Sequence, residues 1–410
     1  MPRRALPWLV SITVVVLTLF VGNISTAGAH AALVRSTPAS QAELTGGPAS
    51  IDLWFTEPLE GEFSSFELYG SDGQQQAIDN IRVDPADPRH LSGVPRELPP
   101  DLYTVTYLTL STLDGHEWRG SFSFAVLDKN GNIPSGAAYQ PDLSSGSSTE
   151  SMFARWFTFV GLAGVVGATF LAVLISRVRG RDPRLDALGR VLAARLALAM
   201  VPLIVVGGLL QLLSQHDAVD GSMSSLLTES RFGTYWLWRQ LLVLALFLLV
   251  GLTFLAQHRD RNRVELYLLI GSGLSASAAL WTVSMLSHAA AAPGRFWAVL
   301  ADFVHLEVAA LWAGGLAAVA ALAFVARRGQ RSPTLLPVLI QFSVLAAAGM
   351  YVLLVTGVVR ALGQLPTADA VTGTEYGRWL VVKIALLVVT LSLAFANRRF
   401  IRDLGSGKVR

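Results

Sequence analysis

The chain has 410 residues, 52% of them hydrophobic, and a mean hydropathy of +0.49, too apolar a balance for a wholly soluble protein. It contains no cysteine, which excludes disulfides and thiolate metal sites, so any metal must be held by His, Asp, Glu, Met or backbone. The formal charge of +3 includes Arg3 and Arg4 near the start, and the remaining arginines follow a membrane pattern, so it gives no sign of a nucleic-acid partner.

Residues 1–29 read as a secretory signal peptide. Arg3 and Arg4 form a positive n-region, Trp8 to Val21 an apolar h-region, and Ala27-Gly28-Ala29 a small-residue cleavage site. Cleavage after Ala29 would leave His30 as the amino terminus. Its α-amine and ring Nδ1 could then chelate one metal ion, whereas an internal histidine offers only the ring.

Residues 30–128 carry short alternating runs broken by Pro, Gly and Asp. Ile51, Leu53 and Phe55 alternate with Asp52, Trp54 and Thr56; Tyr103, Val105 and Tyr107 alternate with Thr104 and Thr106; Phe122, Phe124 and Val126 close the series. Period-two patterning at this spacing predicts an all-β, immunoglobulin-like antiparallel sandwich. Asp114-Gly115-His116 precedes the last strand. In an extended segment residues two apart share a face, so the carboxylate and the imidazole are expected to converge. With His30 they would give nitrogen and oxygen donors suited to tetragonal Cu(II). His90, in a Pro-broken loop, reads as solvated.

The start HAALVRSTPA, the segment FTEPLE (Phe55 to Glu60) and LDGHEWRGSFSFAV resemble the CopC family of extracytoplasmic copper-binding proteins. The resemblance implies Cu(II) held by His30, Asp114 and His116, with Glu57 as a further or nearby ligand. Some members add a methionine-rich Cu(I) site. No Met lies between His30 and Met152, so that site is expected to be missing.

Residues 129–150, rich in Gly, Ser and Pro, read as a flexible linker. From there to 410 the chain reads as an all-α membrane domain. Apolar stretches near 152–176, 191–213, 236–257, 265–287, 297–326, 336–359 and 379–396 are each long enough to cross ~30 Å of hydrocarbon. Arginines cluster after the first, third, fifth and seventh stretches: Arg177 to Arg190, Arg259 to Arg263, Arg327 to Arg331, and Arg398 to Arg410. The positive-inside rule then puts the amino terminus outside and the carboxyl terminus in the cytoplasm of a multi-pass protein of the cell membrane.

Three histidines fall in or near the outer half of this domain. His216 is expected to follow the second span and His288 the fourth, with Met285 sharing its helix face. His305 lies inside the fifth span, about 14 Å deep at ~1.5 Å per residue. There Asp302, His305, Ala309 and Trp312 line one face, while Glu307 points about 140–200° away. Ionisable residues at such depth are costly and usually pair or line a pathway. Asp302 and His305 are therefore candidates for a metal path, or for a clamp between helices.

ADFVHLEVAALWAGGL and FSVLAAAGMYVLLVTGVVRAL resemble the CopD family of copper-resistance membrane proteins, with Gly314, Gly315 and Gly357 able to admit close helix approach. The layout resembles natural fusions of the two modules. It implies a copper ion as substrate as well as ligand, a lipid bilayer as surroundings, and copper import contributing to homeostasis and resistance. Nothing resembles a nucleotide-binding loop or a phosphorylated-aspartate pump motif, and no enzymatic activity is expected. Two alternatives remain open: a haem or redox membrane protein with His216, His288 or His305 as axial ligands, and a copper oxidase built on the amino-terminal histidine.

Overall fold

A computed structural model describes residues 31–135, 137–141, 149–178, 182–219, 221–259, 262–292, 294–327, 335–364, 372 and 375–405. The proposed signal peptide and His30 lie outside the described residues.

The amino-terminal part is a two-sheet sandwich. One sheet orders β1 (Leu33–Thr37), β3 (Ile51–Phe55), β7 (His90–Pro95) and β6 (Ile78–Val83). The other orders β2 (Glu43–Leu44), β9 (Glu117–Val126), β8 (Asp101–Leu110), β4 (Ser65–Tyr69) and β5 (Gln75–Gln76). Pairing is antiparallel except between β2 and β9. The alternating apolar sets point inward as their period requires: Ile51, Leu53, Phe55, Tyr103, Val105, Tyr107, Phe122, Phe124 and Val126 are all buried in one core. In β8 the outward-facing Thr104 is covered too, and Thr109, on the same face as Tyr103 and Tyr107, is buried. The Thr104 hydroxyl donates to the Tyr139 carbonyl, and the Thr109 hydroxyl donates to the Ala31 carbonyl.

Within the stretch expected to be a linker, the described residues make contacts with the end of the sandwich. The Asp128 carboxylate accepts from the backbone of Asn130 and Asn132, and the Tyr139 ring lies 4.9 Å from that of Tyr69.

The rest is helical: α1 (Thr149–Arg177), α2 (Pro183–Ala218), a short α3 (Met223–Thr228), α4 (Arg231–His258), α5 (Asn262–Ser284), α6 (Arg295–Ala326), α7 (Leu336–Gln364) and α8 (Glu375–Gly405). Among the described residues six are long and apolar enough to cross a membrane, and α8 completes a bundle of about seven. Leu241, Leu244, Phe247, Leu248, Leu252 and Leu255 of α4 are exposed, as a lipid-facing stripe should be. Some boundaries differ from expectation. Helix α2 runs through His216, which sits in its last turn. Helix α5 stops at Ser284, so Met285 and His288 do not share a helix face.

Helix α1 is the most enclosed, with 72% of its apolar stretch buried against 11–39% for the others. Glycines make this possible, since apolar tails leave van der Waals contact as the main attraction between helices. A Cβ on Gly314 of α6 would lie 2.0 Å from the Ala163 carbonyl oxygen, and one on Gly167 would lie 2.0 Å from the Gly314 backbone. The sequence pointed to Gly314 but not to its partner Gly167.

The sandwich sits on one end of the bundle. Phe63 and Leu110 pack into an apolar cluster with Leu212, Val219, Leu226 and Phe232 of the helical part. Polar contacts frame it: the Arg231 backbone N–H donates to Glu60 Oε1 at 2.8 Å, and Arg119 Nη2 donates to the Ala218 carbonyl at 2.8 Å.

Two outcomes follow from this packing. Gly314→Ala should destabilise the bundle by about 1–3 kcal/mol or more, because the obstructing atom is backbone and cannot rotate away; thermal unfolding in detergent measures it. Burial pushes the Glu60 carboxyl up from 4.5 to about 7 against the opposing Arg231 contacts. Docking thus favours its protonated form and should be strongest below pH 4.5, weakening as pH rises toward 7 and levelling beyond. Hydrogen exchange at Phe63 and Leu110 reads this, and Glu60→Gln should flatten the profile.

Candidate metal centre

The hairpin loop between β8 and β9 carries Asp114, Gly115 and His116. It is a turn rather than the extended segment expected. Gly115 has φ +72° and its N–H donates to the Ser111 carbonyl, while the Ser111 N–H donates to the His116 carbonyl. A left-handed residue here favours glycine. The turn swings both functional side chains to one side, and the His116 backbone N–H donates to Asp114 Oδ1.

The loop is braced by the segment after β3. The Glu60 N–H donates to the Leu110 carbonyl, and the Thr112 N–H donates to the Pro58 carbonyl. Glu57 is buried and accepts from the Ser111 hydroxyl at 2.5 Å. Burial raises its carboxyl, opposed first by that hydroxyl. Glu57 thus forms the wall behind the loop, outside the converging donor set.

The third member of that set comes from the helical part. Ser287 caps a single 3-10 turn, His288–Ala290, that follows α5. His288 Nδ1 lies 3.4 Å from Asp114 Oδ2, and His116 Nδ1 lies 3.2 Å from the same oxygen. The two imidazole rings are 4.5 Å apart, tilted by 31°. One donor atom from each of Asp114, His116 and His288 falls within 4.8 Å of the others. Metal–ligand bonds of ~2.0–2.2 Å allow paired donors up to about 4.4 Å apart, and the two imidazole–carboxylate pairs fall inside that limit. The residues fit a metal in a second way: the buried His116 Nδ1 has no hydrogen-bond partner of sound geometry. Burial alone would raise the Asp114 carboxyl, but the His116 and His288 side chains hold it well below the usual carboxylate range. It is therefore an ionised, acceptor-only ligand at neutral pH.

Behind the three donors lies a cavity of about 310 Å³ between sandwich and bundle. Its walls include Gln211 and Gln215 of α2, Arg239 of α4 and Asp302 of α6. Asp302 is 2% exposed. Arg239 is fully buried, with its Nη2 donating to Gln211 Oε1 at 2.6 Å. Sequence reasoning passed over Arg239 because an arginine near a span end reads as a topology signal.

The other histidines go elsewhere. His305 does not line this cavity; its Nδ1 meets the Thr356 hydroxyl of α7 at 2.8 Å, beside Gly357. Glu307 accepts from Ser277 of α5, on a different side of α6 from Asp302 as the helical spacing predicts. His216 stays on the last turn of α2, away from the cavity lining. His288 faces His116. His90, expected in solvent, begins β7, stacks on Trp54 at 4.4 Å and contacts Asp52 at 2.8 Å. Cross-strand pairing in register with Trp54 is what draws it in.

Comparison with known proteins gives three family matches along the chain. Residues 33–127 match the CopC domain, 149–298 the Copper resistance protein D-like N-terminal domain, and 336–409 Copper resistance protein D. The copper transport protein CutJ of Bacillus subtilis is 27% identical over 386 residues, covering 90% of this chain and 67% of its own. Protein YobA of Escherichia coli is 35% identical over 105 residues, covering 24% of this chain and 79% of its own. The crystal structure of CopC from Methylosinus trichosporium OB3b shares 27% identity over 24% of this chain and 93% of that one, with a TM-score of 0.22.

Asp114→Asn should weaken copper binding at least tenfold, since it replaces the charged buried ligand with a neutral amide. His90→Ala should leave copper affinity unchanged and cost the sandwich about 1 kcal/mol through its lost stacking. Copper binding should weaken as pH falls from about 8 to 5, because protons compete with the ion for its ligands. Competition titrations across that range measure it, and an affinity that does not change with pH would argue against these ligands.

Proposed function

We propose that this chain, which belongs to the copper-resistance proteins joining a CopC domain to a CopD membrane module, collects Cu(II) outside the cell and delivers it across the cytoplasmic membrane. The observation that carries the reading is the seating of Asp114 and His116 directly over the cavity that leads to Asp302. A donor site and a helical bundle that were unrelated in function would have no reason to share one cavity.

In this reading the leader is removed after Ala29, and His30 contributes its α-amine and ring to the same ion as Asp114 and His116. Two contacts support it. The Ala31 carbonyl accepts from the buried Thr109 hydroxyl, and the Ala32 N–H meets the Thr56 hydroxyl at 3.0 Å. Both partners stand on strands or loops that lead straight into the site. The bound copper supplies positive charge and ligand-exchange chemistry; the chain's own residues select, orient and desolvate it. Imidazole and carboxylate donors suit Cu(II), which heads the divalent affinity order for such sites.

The charge pattern supports the orientation in this reading. The sandwich covers the bundle end formed by the close of α2, the start of α4 and the close of α5. Arg177, Arg184, Arg190, Arg259, Arg263 and Arg327 belong to the opposite helix ends. The positive-inside rule assigns those ends to the cytoplasm, which supports an outward-facing sandwich. Asp302, one helical turn from His305, is the first membrane-module carboxylate below the donor site.

Inserting one residue between Ala29 and His30 tests the reading in the intact protein. The imidazole stays while the α-amine moves away, so copper affinity should fall at least tenfold. Cells carrying the insertion should accumulate copper at the level of cells lacking the gene. Unchanged affinity would remove the chelate, and equal copper content with and without the gene would remove uptake.

A further inference from the structure

The seam between sandwich and bundle is not a neutral contact. Among the described residues, the one group of three metal-type donors that converges takes two members from the sandwich and one from the helical part. We propose that His288 is a ligand to the same ion as Asp114 and His116, so that the docked protein holds copper in a site shared by both modules. The inference rests on the copper reading above and deepens it, naming the residue through which the ion changes hands.

The geometry favours a ligand over a clamp. A clamp would be served by one short hydrogen bond aimed at one imidazole. Instead two ring nitrogens approach the same oxygen, Asp114 Oδ2, at 3.2 and 3.4 Å, and the rings lie side by side at 4.5 Å. Three donors from separate segments converging on one point are what an ion requires. His288 is also placed by the docking itself. Its turn is capped by Ser287, the preceding Met285 carbonyl accepts from Arg231 Nη2, and Leu286 packs under Gly115. Arg231 in turn holds Glu60 of the sandwich through its backbone N–H. The contact that docks the sandwich therefore sets the position of the helical part's ligand.

Transfer then needs no free ion. His288 binds while Asp114 and His116 still hold the copper, and ligand exchange moves it toward the cavity wall at Asp302 with no change of oxidation state. Each incoming imidazole binds in its neutral form, so the step balances without a proton or an electron. A carrier that released its ion first would lose it to the surrounding medium.

Pulsed electron paramagnetic resonance on the full chain in nanodiscs, loaded with one equivalent of Cu(II), counts the bound imidazoles. His288→Ala and His288→Gln should each show one imidazole fewer than the unaltered protein, bind copper at least tenfold more weakly and abolish cellular copper accumulation. Hydrogen exchange at Phe63 and Leu110 reports docking in the same samples. An unchanged imidazole count in both variants overturns the assignment while leaving the copper function standing. A loss confined to variants whose seam amides exchange freely makes His288 a clamp, and overturns it too. Failure of the unaltered protein to hold Cu(II) would instead refute the copper reading itself.

Discussion

Everything specific in this protein depends on one apolar contact, the burial of Phe63 and Leu110 against Leu212, Val219, Leu226 and Phe232. Two side chains from the tip of a sandwich fill a hollow at the end of a helix bundle, and desolvation of that small patch holds two otherwise separate folds in register. The polar bonds around it, Glu60 to Arg231 and Arg119 to Ala218, add direction more than strength. Register matters because the hairpin carrying Asp114 and His116 is rooted in the same strand as Leu110. A rotation that lost the apolar fit would carry the carboxylate out of reach of His288.

The bundle answers with rigidity of its own. Helix α1 threads the centre on glycines, with Gly161 against Ile204, Gly164 against Met200 and Gly167 against Gly314. Backbones this close leave no room for sliding, so α6 and its Asp302 are fixed relative to α2 and the rim that receives the sandwich. On the far side a buried network centred on Arg190, which meets Asp186, Glu265 and Asn262, ties α2 to α5. Charges buried this deeply need partners, and this network supplies them from its own members rather than from the donor cavity.

Much of this was legible in the sequence, for identifiable reasons. Strand alternation around Ile51 and Tyr103 marks one buried face, and long stretches of mostly apolar residues admit few solvents other than lipid. Asp114 and His116 stood out because a turn glycine separates two donors. The form of that turn did not: an extended pair and a left-handed turn both bring residues two apart together, and only Gly115's φ distinguishes them. His288 was visible as a polar residue near a span end, but its partner lies 174 residues away. Docking of two modules is a property of surfaces, and no periodicity within either one encodes it. His90 shows the same limit on a smaller scale, since its burial comes from a cross-strand neighbour, Trp54, rather than from its own surroundings in the chain. Gly167 escaped notice for a related reason, because a glycine in an apolar helix declares a close approach without saying to what.

The attachment of Tyr139 to Thr104 and Tyr69 shortens the leash between the two folds. Only the step from Pro141 to Thr149 remains between the sandwich-bound segment and the first helix, and eight residues at full stretch span about 28 Å. A sandwich that came loose could therefore drift by roughly its own width and no further. Its effective concentration at the seam stays in the millimolar range, as expected for short tethers. At that concentration even a weak contact re-forms quickly, and a soluble copper protein from the surroundings would have to be abundant to take its place. The leash makes the protein its own preferred donor.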